Sequence, residues 1–317
     1  MLSSTGITLV LTVLAVASAL LLLLIAASAY LYRYLFVPTP ARWQDDFLFT
    51  PWEFQADFDE VELVTADGIR FGAWHFRQAG SPQTIIIRPG HKGQRQAVLG
   101  ISVALWRKGF NVVAYSYRGM PGSDRRRVTL GIDEVNELQA AIAFARKRVK
   151  GARIGLLGYS MGAVVSLLGG AGEPSIEAFV LDSPFSDLRQ VIRENVHRTL
   201  HLPALPFVSL VSLWFRLRSG HSLAEASPRA VLTALEPRPL FFIHGGADAL
   251  TGVQHSRQLH DSYRGPREIW IVQGAPHTGA YFADRELYVE RVAAFFGRHL
   301  GLSRTNQLRL IEEEEVS

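Results

Sequence analysis

The segment Gly158-Tyr159-Ser160-Met161-Gly162 carries the strongest chemical signal in the sequence. It follows an apolar run at 153–158 and opens a helix-period pattern at 161. A serine on a sharp strand-to-helix turn projects its hydroxyl from the sheet edge, and glycines on either side remove the side chains that would collide there. Met161 then lies at a helix N-terminus, where a backbone N–H has no intrahelical acceptor and can face a developing oxyanion. The bare pentapeptide also fits an ordinary glycine-rich turn. The strand before it and the helix after it point to a nucleophile, Ser160.

A serine hydroxyl is a weak nucleophile at neutral pH and needs a base within hydrogen-bond reach. Of ten histidines, His277 fits best, in the loop Gln273-Gly274-Ala275-Pro276-His277 just past the last strand pattern. His244, His255 and His260 fall nearer the preceding strand and helix and read as structural. The base needs a carboxylate to fix its tautomer. Asp248, which follows the strand at 240–244, leads; Asp182, at the end of the strand at 178–181, competes with it. The chain order is then Ser160, Asp248, His277. A second oxyanion donor is expected from Pro89-Gly90-His91-Lys92-Gly93, through the backbone N–H of His91, with a plain turn as the alternative.

These residues need a parallel sheet to carry them. Apolar runs at 84–88, 111–117, 153–158, 178–181, 240–244 and 269–272 read as strands buried on both faces. Helix-period segments at 94–108, 132–147, 161–169, 252–263 and 285–299 alternate with them, the pattern of an α/β domain with helices on both faces of its sheet. Ahead of these, Val61, Leu63 and the Asp67-Gly68 turn before Ile69, Phe71 and Trp74 suggest an antiparallel hairpin. Residues 185–237 are too long for a connection, and their apolar stretch at 202–217, broken by Pro203 and Pro206, reads as a helical lid. A second membrane-embedded segment is the lesser reading of that stretch.

The run 6–29 is uncharged and long enough to cross about 30 Å of hydrocarbon. Aromatic Tyr30, Tyr32, Tyr34 and Phe36, with Arg33 among them, follow it as they do where a helix leaves a bilayer. A cleaved signal peptide, favoured by Ala27-Ser28-Ala29, competes with the anchor, but no Lys or Arg precedes the run. Arg33 and Arg42 flank only its C-terminal end, so the positive-inside rule directs the following domain to the cytoplasm. The expected organisation is a transmembrane anchor at 1–36, a connector at 37–57, an α/β domain at 58–302 with its lid at about 185–237, and an acidic tail at 303–317. The 33 basic and 29 acidic residues form no long basic block, which argues against nucleic acid as a partner. The absence of cysteine rules out thiolate chemistry and disulfides.

Over 61–299 the chain resembles an α/β-hydrolase of the serine aminopeptidase-like, Bem46-like group of membrane-associated or secreted hydrolases. Besides the elbow at Ser160, the likeness rests on Tyr117-Arg118-Gly119-Met120-Pro121-Gly122-Ser123, on Asp182-Ser183-Pro184-Phe185 and on His244-Gly245-Gly246-Ala247-Asp248. The last matches the family's segment around its acid and so favours Asp248. Pro89-Gly90 stands where the family usually has His-Gly, a departure in the oxyanion loop. The resemblance implies a serine hydrolase acting on an ester, thioester or amide, with no metal or organic cofactor. The apolar lid beside a membrane span favours a carboxylic ester with an apolar acyl or lipid group. Its rivals are a serine peptidase and a membrane-tethered binding protein that has lost catalysis. Dehalogenase and epoxide hydrolase chemistry would need a carboxylate where Ser160 stands.

Overall fold

In a computed structural model, which describes residues 4–38, 49–124, 126–200 and 204–301, the apolar runs assemble into one eight-stranded sheet. Helix α1 (Ser4–Phe36) comes first, then the hairpin of β1 (Phe58–Val64) and β2 (Arg70–Phe76). β3 (Gln83–Arg88), α2 (Leu99–Arg107), β4 (Asn111–Tyr115), α3 (Val135–Arg148), β5 (Arg153–Tyr159), α4 (Met161–Ala171) and β6 (Ile176–Asp182) alternate after it. Three helices interrupt the alternation: α5 (Leu188–Leu200), α6 (Ala204–Ser219) and the single turn α7 (Leu232–Leu235). It resumes with β7 (Leu240–Gly245), α8 (Gln254–Ser262), β8 (Arg267–Val272), α9 (Ala280–Ala283) and α10 (Arg285–Leu300).

The strands lie in the order β1-β2-β4-β3-β5-β6-β7-β8, antiparallel at β1/β2 and β2/β4 and parallel elsewhere. From β3 the chain crosses to β4 on one side and then to β5 on the other. A crevice opens outside the carboxyl ends of strands at such a reversal, and Ser160 follows β5 there. The unbroken apolar runs reflect burial on both faces. Along β3, Ile86 enters one core cluster while Ile85 and Ile87 enter the other. β5 does likewise, with Leu156 on one side and Leu157 on the other. β8 departs from the expectation, because it is the edge strand and only Val272 in it is buried. Its run of Ile269, Trp270 and Ile271 looks like a core strand in sequence, yet one flank has no neighbouring strand to cover it.

Helix α1 has a mean hydropathy of 3.0 over its most apolar window, and no residue of that window is buried. Ser28, Tyr32 and Phe36, four residues apart, are its buried side chains, a stripe on one face that meets the insertion. The Phe36 and Phe215 ring centroids lie 4.7 Å apart, and Trp214 Nε1 donates to Ser28 Oγ at 3.1 Å. The segment expected as a lid is thus helical and leans on the foot of α1. Pro206 sits in the first turn of α6, where a missing N–H costs no intrahelical bond. Pro203, Arg42, most of the connector (39–48) and the acidic tail lie outside the described residues. The end of the connector forms one turn at Pro51–Phe54, capped by Thr50 and Glu53.

Candidate active site

Ser160 sits between β5 and α4 at φ 50°, ψ −114°, a left-handed backbone that is uncommon for any residue but glycine. The turn closes only because its neighbours lack side chains. A Cβ on Gly158 would meet the Gly162 carbonyl oxygen at 2.3 Å, and one on Gly162 would meet the Pro89 and Arg88 oxygens at 2.6 and 2.7 Å. The Ser160 amide donates to the Asp182 carbonyl at 2.8 Å, which ties the turn to β6. The strain is therefore held by backbone on both sides.

The three residues singled out in the sequence meet at the crevice. His277, in the loop between β8 and α9, has Nε2 2.9 Å from Ser160 Oγ and Nδ1 2.6 Å from Asp248 Oδ2. Ala247 N–H donates to Ala275 O at 2.9 Å and Gly246 N–H to Val272 O at 2.7 Å. These bonds lock the Asp248 loop to the His277 loop. The Asp248 side chain is wholly buried. It accepts from the Leu250 and Thr251 amides at 2.8 and 2.9 Å and from Thr251 Oγ1 at 3.0 Å, with His244 Nε2 3.1 Å away. Burial alone would raise its pKa. Hydrogen bonds from His244 and His277, the charge available to His277 and the Thr251 amide outweigh burial and hold the carboxyl well below the usual range.

Asp182, the competitor, makes no hydrogen bond to His277. Its Oδ1 accepts from Ser183 Oγ and its Oδ2 from Tyr288 OH, both at 2.9 Å. Burial pushes its pKa up to about 6, against the lowering effect of those two bonds. Folded protein therefore keeps a proton that unfolded chain releases above pH ~4, so this group lowers stability as pH rises from ~4 to ~6, and the full cost persists above that window. Asp182→Asn is expected to remove a cost of about 3 kcal/mol at pH 7.5 and to flatten that decline. Urea unfolding at pH 4.5 and 7.5 measures it, and a variant that loses more stability at 7.5 than at 4.5 would refute the reading.

The loop after β3 also lies where the sequence suggests. A Cβ on Gly90 would stand 3.3 Å from Ser160 Cβ, and among the described residues the His91 amide donates to no acceptor. The Met161 amide opens α4 and is free of intrahelical partners. The Met161 amide directly follows Ser160, and His91 directly follows Gly90, which packs against Ser160. The His91 ring is neutral at physiological pH: burial, then the Lys92 charge, lower its pKa to about 4, although the Leu35 carbonyl of α1 opposes them. Lys92 Nζ lies 4.2 Å from the Tyr34 ring centroid. The loop beside Ser160 therefore rests on the last turn of α1.

Three features escaped sequence reasoning. His244, read as structural, contacts Asp248 directly, and its position four residues before that aspartate was the available signal. Thr251 hydrogen-bonds Asp248 and stands 3.1 Å from His277 Nδ1, with only its proximity in sequence to suggest it. The contact of α1 with the 89–93 loop had no sequence signal. His255 and His260 do read as structural, bonded to Ser186 and Glu194 and to Asp261. Among the described residues no three His, Asp or Glu side chains converge as metal ligands would.

An eight-stranded, mostly parallel sheet in this order, with helices on both faces and a strained serine turn after β5, is the α/β-hydrolase fold. A family model described as serine aminopeptidase, S33, matches residues 81–227. The protein YqkD of Bacillus subtilis is 26% identical over 246 residues, covering 75% of this chain and 80% of its own. YfhR of Escherichia coli K12 is 27% identical over 263 residues, covering 79% and 84%. An esterase of Pyrococcus furiosus superposes with a TM-score of 0.68 at 23% identity, over 84% of this chain and 98% of that one. The chain therefore has the α/β-hydrolase fold, and over residues 81–227 it is similar to the serine aminopeptidase, S33, family.

Proposed function

We propose that this protein is a serine hydrolase that cleaves a carboxylic ester with an apolar acyl group through an acyl-enzyme on Ser160. The observation that carries the reading is the hydrogen-bonded chain from Ser160 Oγ through His277 to Asp248, at 2.9 and 2.6 Å, on a serine held at a strand-to-helix turn. Ser160 Oγ attacks the carbonyl carbon as its proton passes to His277 Nε2. Asp248, kept ionised by its bonds, fixes the proton on Nδ1 and stabilises the imidazolium. The Met161 and His91 amides hold the oxyanion. Collapse expels the alcohol, which takes the proton from Nε2, and a water activated by the same nitrogen then releases the acid.

The apolar run of α1 serves as a single-pass anchor, and Arg33 at its C-terminal end favours a cytoplasmic hydrolase domain. The contact between α1 and the loop beside Ser160 supports an apolar or lipid acyl substrate, because it sets the site within a loop's width of the bilayer exit.

The test is fluorophosphonate labelling of detergent-solubilised wild type and Ser160→Ala, followed by nitrophenyl esters of increasing chain length and an aminoacyl nitroanilide. Labelling that vanishes with Ser160, with turnover rising toward longer acyl chains, is expected. Preferential anilide cleavage would favour a peptidase. Folded wild type that neither labels nor turns over would leave a tethered binding protein.

A further inference from the structure

We infer that α6 and the foot of α1 form a docking surface for an anionic bilayer leaflet, the one from which α1 emerges. The inference rests on α1 being a membrane anchor. It adds that the hydrolase domain itself enters the interface rather than hanging below it.

Depth is the first argument. Twenty residues of helix suffice to cross the hydrocarbon, so a span that begins near Gly6 is complete by about Ile25. The domain nevertheless packs on α1 from Leu24 onward, and Trp214 of α6 hydrogen-bonds Ser28. The flank of α6 therefore lies level with the bilayer edge, where an indole is at home.

Surface chemistry is the second. Leu205, Leu213 and Leu217 of α6 are 77%, 51% and 67% exposed. They recur at multiples of four residues and so lie along one side of the helix. In water these leucines gain nothing; beside an apolar span they have a solvent. Exposed Arg216 and Arg218 border them. Arg126 and Arg127 join Arg218 in a cleft of about 690 Å³ that opens beside Val37 and Pro38, just past the end of α1.

Charge in that cleft is unbalanced. Its two aspartates are already engaged, Asp67 with Arg118 at 3.0 Å and Asp133 with His221 at 3.0 Å. Arg126, Arg127, Arg216 and Arg218 form no ion pair with a carboxylate among the described residues. Basic side chains at a lipid surface favour anionic headgroups by about fivefold each. A leucine stripe edged by arginines that no carboxylate pairs matches the acyl and phosphate layers of such a leaflet.

The chain has no cysteine, so single-cysteine spin labels report depth without a background. Full-length protein carrying Leu14→Cys, Leu213→Cys, Leu217→Cys or Arg264→Cys is reconstituted into phosphatidylcholine vesicles, with and without phosphatidylglycerol. Collisions with a water-soluble nickel chelate are then measured. Labels at 14, 213 and 217 are expected to be shielded several-fold relative to the one at 264. Phosphatidylglycerol is expected to deepen 213 and 217, and Arg126→Ala with Arg216→Ala to abolish that deepening. If 14 is shielded while 213 and 217 are as accessible as 264, the docking surface is wrong and the anchor stands. If 14 is itself accessible, the anchor reading fails and takes the inference with it. Equal depth with and without phosphatidylglycerol overturns the anionic preference.

Discussion

Ser160→Ala is expected to lower kcat on an activated ester by about 10⁴- to 10⁶-fold, and adding His277→Ala to cost almost nothing further. The two side chains act as one unit: without the hydroxyl there is no proton for His277 Nε2, 2.9 Å away, to receive. On the proposed mechanism the residual rate is expected from the Met161 and His91 amides and from substrate binding, neither of which the double change touches. Stability should move little. Ser160 is 8% exposed, and the single side-chain bond of its hydroxyl is the one to His277. Alanine also tolerates the φ of 50° no worse than serine. Steady-state kinetics on the single and double variants, with melting curves alongside, decide the matter. Losses that multiply rather than coincide would mean that Ser160 and His277 do not act on one step.

Gly-x-Ser-x-Gly is legible in the sequence because it announces its own surroundings, a buried strand before and a helix after, and both are local. The choice between Asp248 and Asp182 was different in kind. Each ends a parallel strand at the same sheet edge; Asp248 leads by its place in the loop after the strand at 240–244, and the resemblance to known hydrolases adds to that lead, but spacing alone does not exclude Asp182. In three dimensions the Ala247 to Ala275 bond brings the Asp248 loop to His277, while Asp182 is taken up by Ser183 and by Tyr288, far along the chain. Partners so distant in sequence leave no periodic trace. The same holds for Trp214 and Ser28, so the insertion was legible as extra chain but its seat on α1 was not. β8 misled for a simpler reason, since an apolar run records composition and not whether a neighbouring strand covers it.

Gly158→Ala is expected to destabilise the protein by about 3 kcal/mol and to abolish fluorophosphonate labelling, although it adds one methyl group. That methyl would stand 2.3 Å from the Gly162 carbonyl oxygen, 2.4 Å from its carbon and 2.5 Å from the Ala163 nitrogen. All three are backbone atoms in the first turn of α4, so no side-chain rotation relieves the clash and α4 must move away from β5. Gly162 is packed as tightly on its other side, against the Pro89 and Arg88 carbonyls, so such a shift drags on the loop that bears His91. Stability and site geometry therefore fail together. Gly172→Ala, just past α4, is the matched control: its φ is −90° and an added Cβ meets nothing within 4 Å, so its melting temperature should stay within a few degrees of wild type. A Gly158→Ala protein that melts like the control and still labels would mean that the turn has slack, and that the fold does not need glycine to hold Ser160 at the sheet edge.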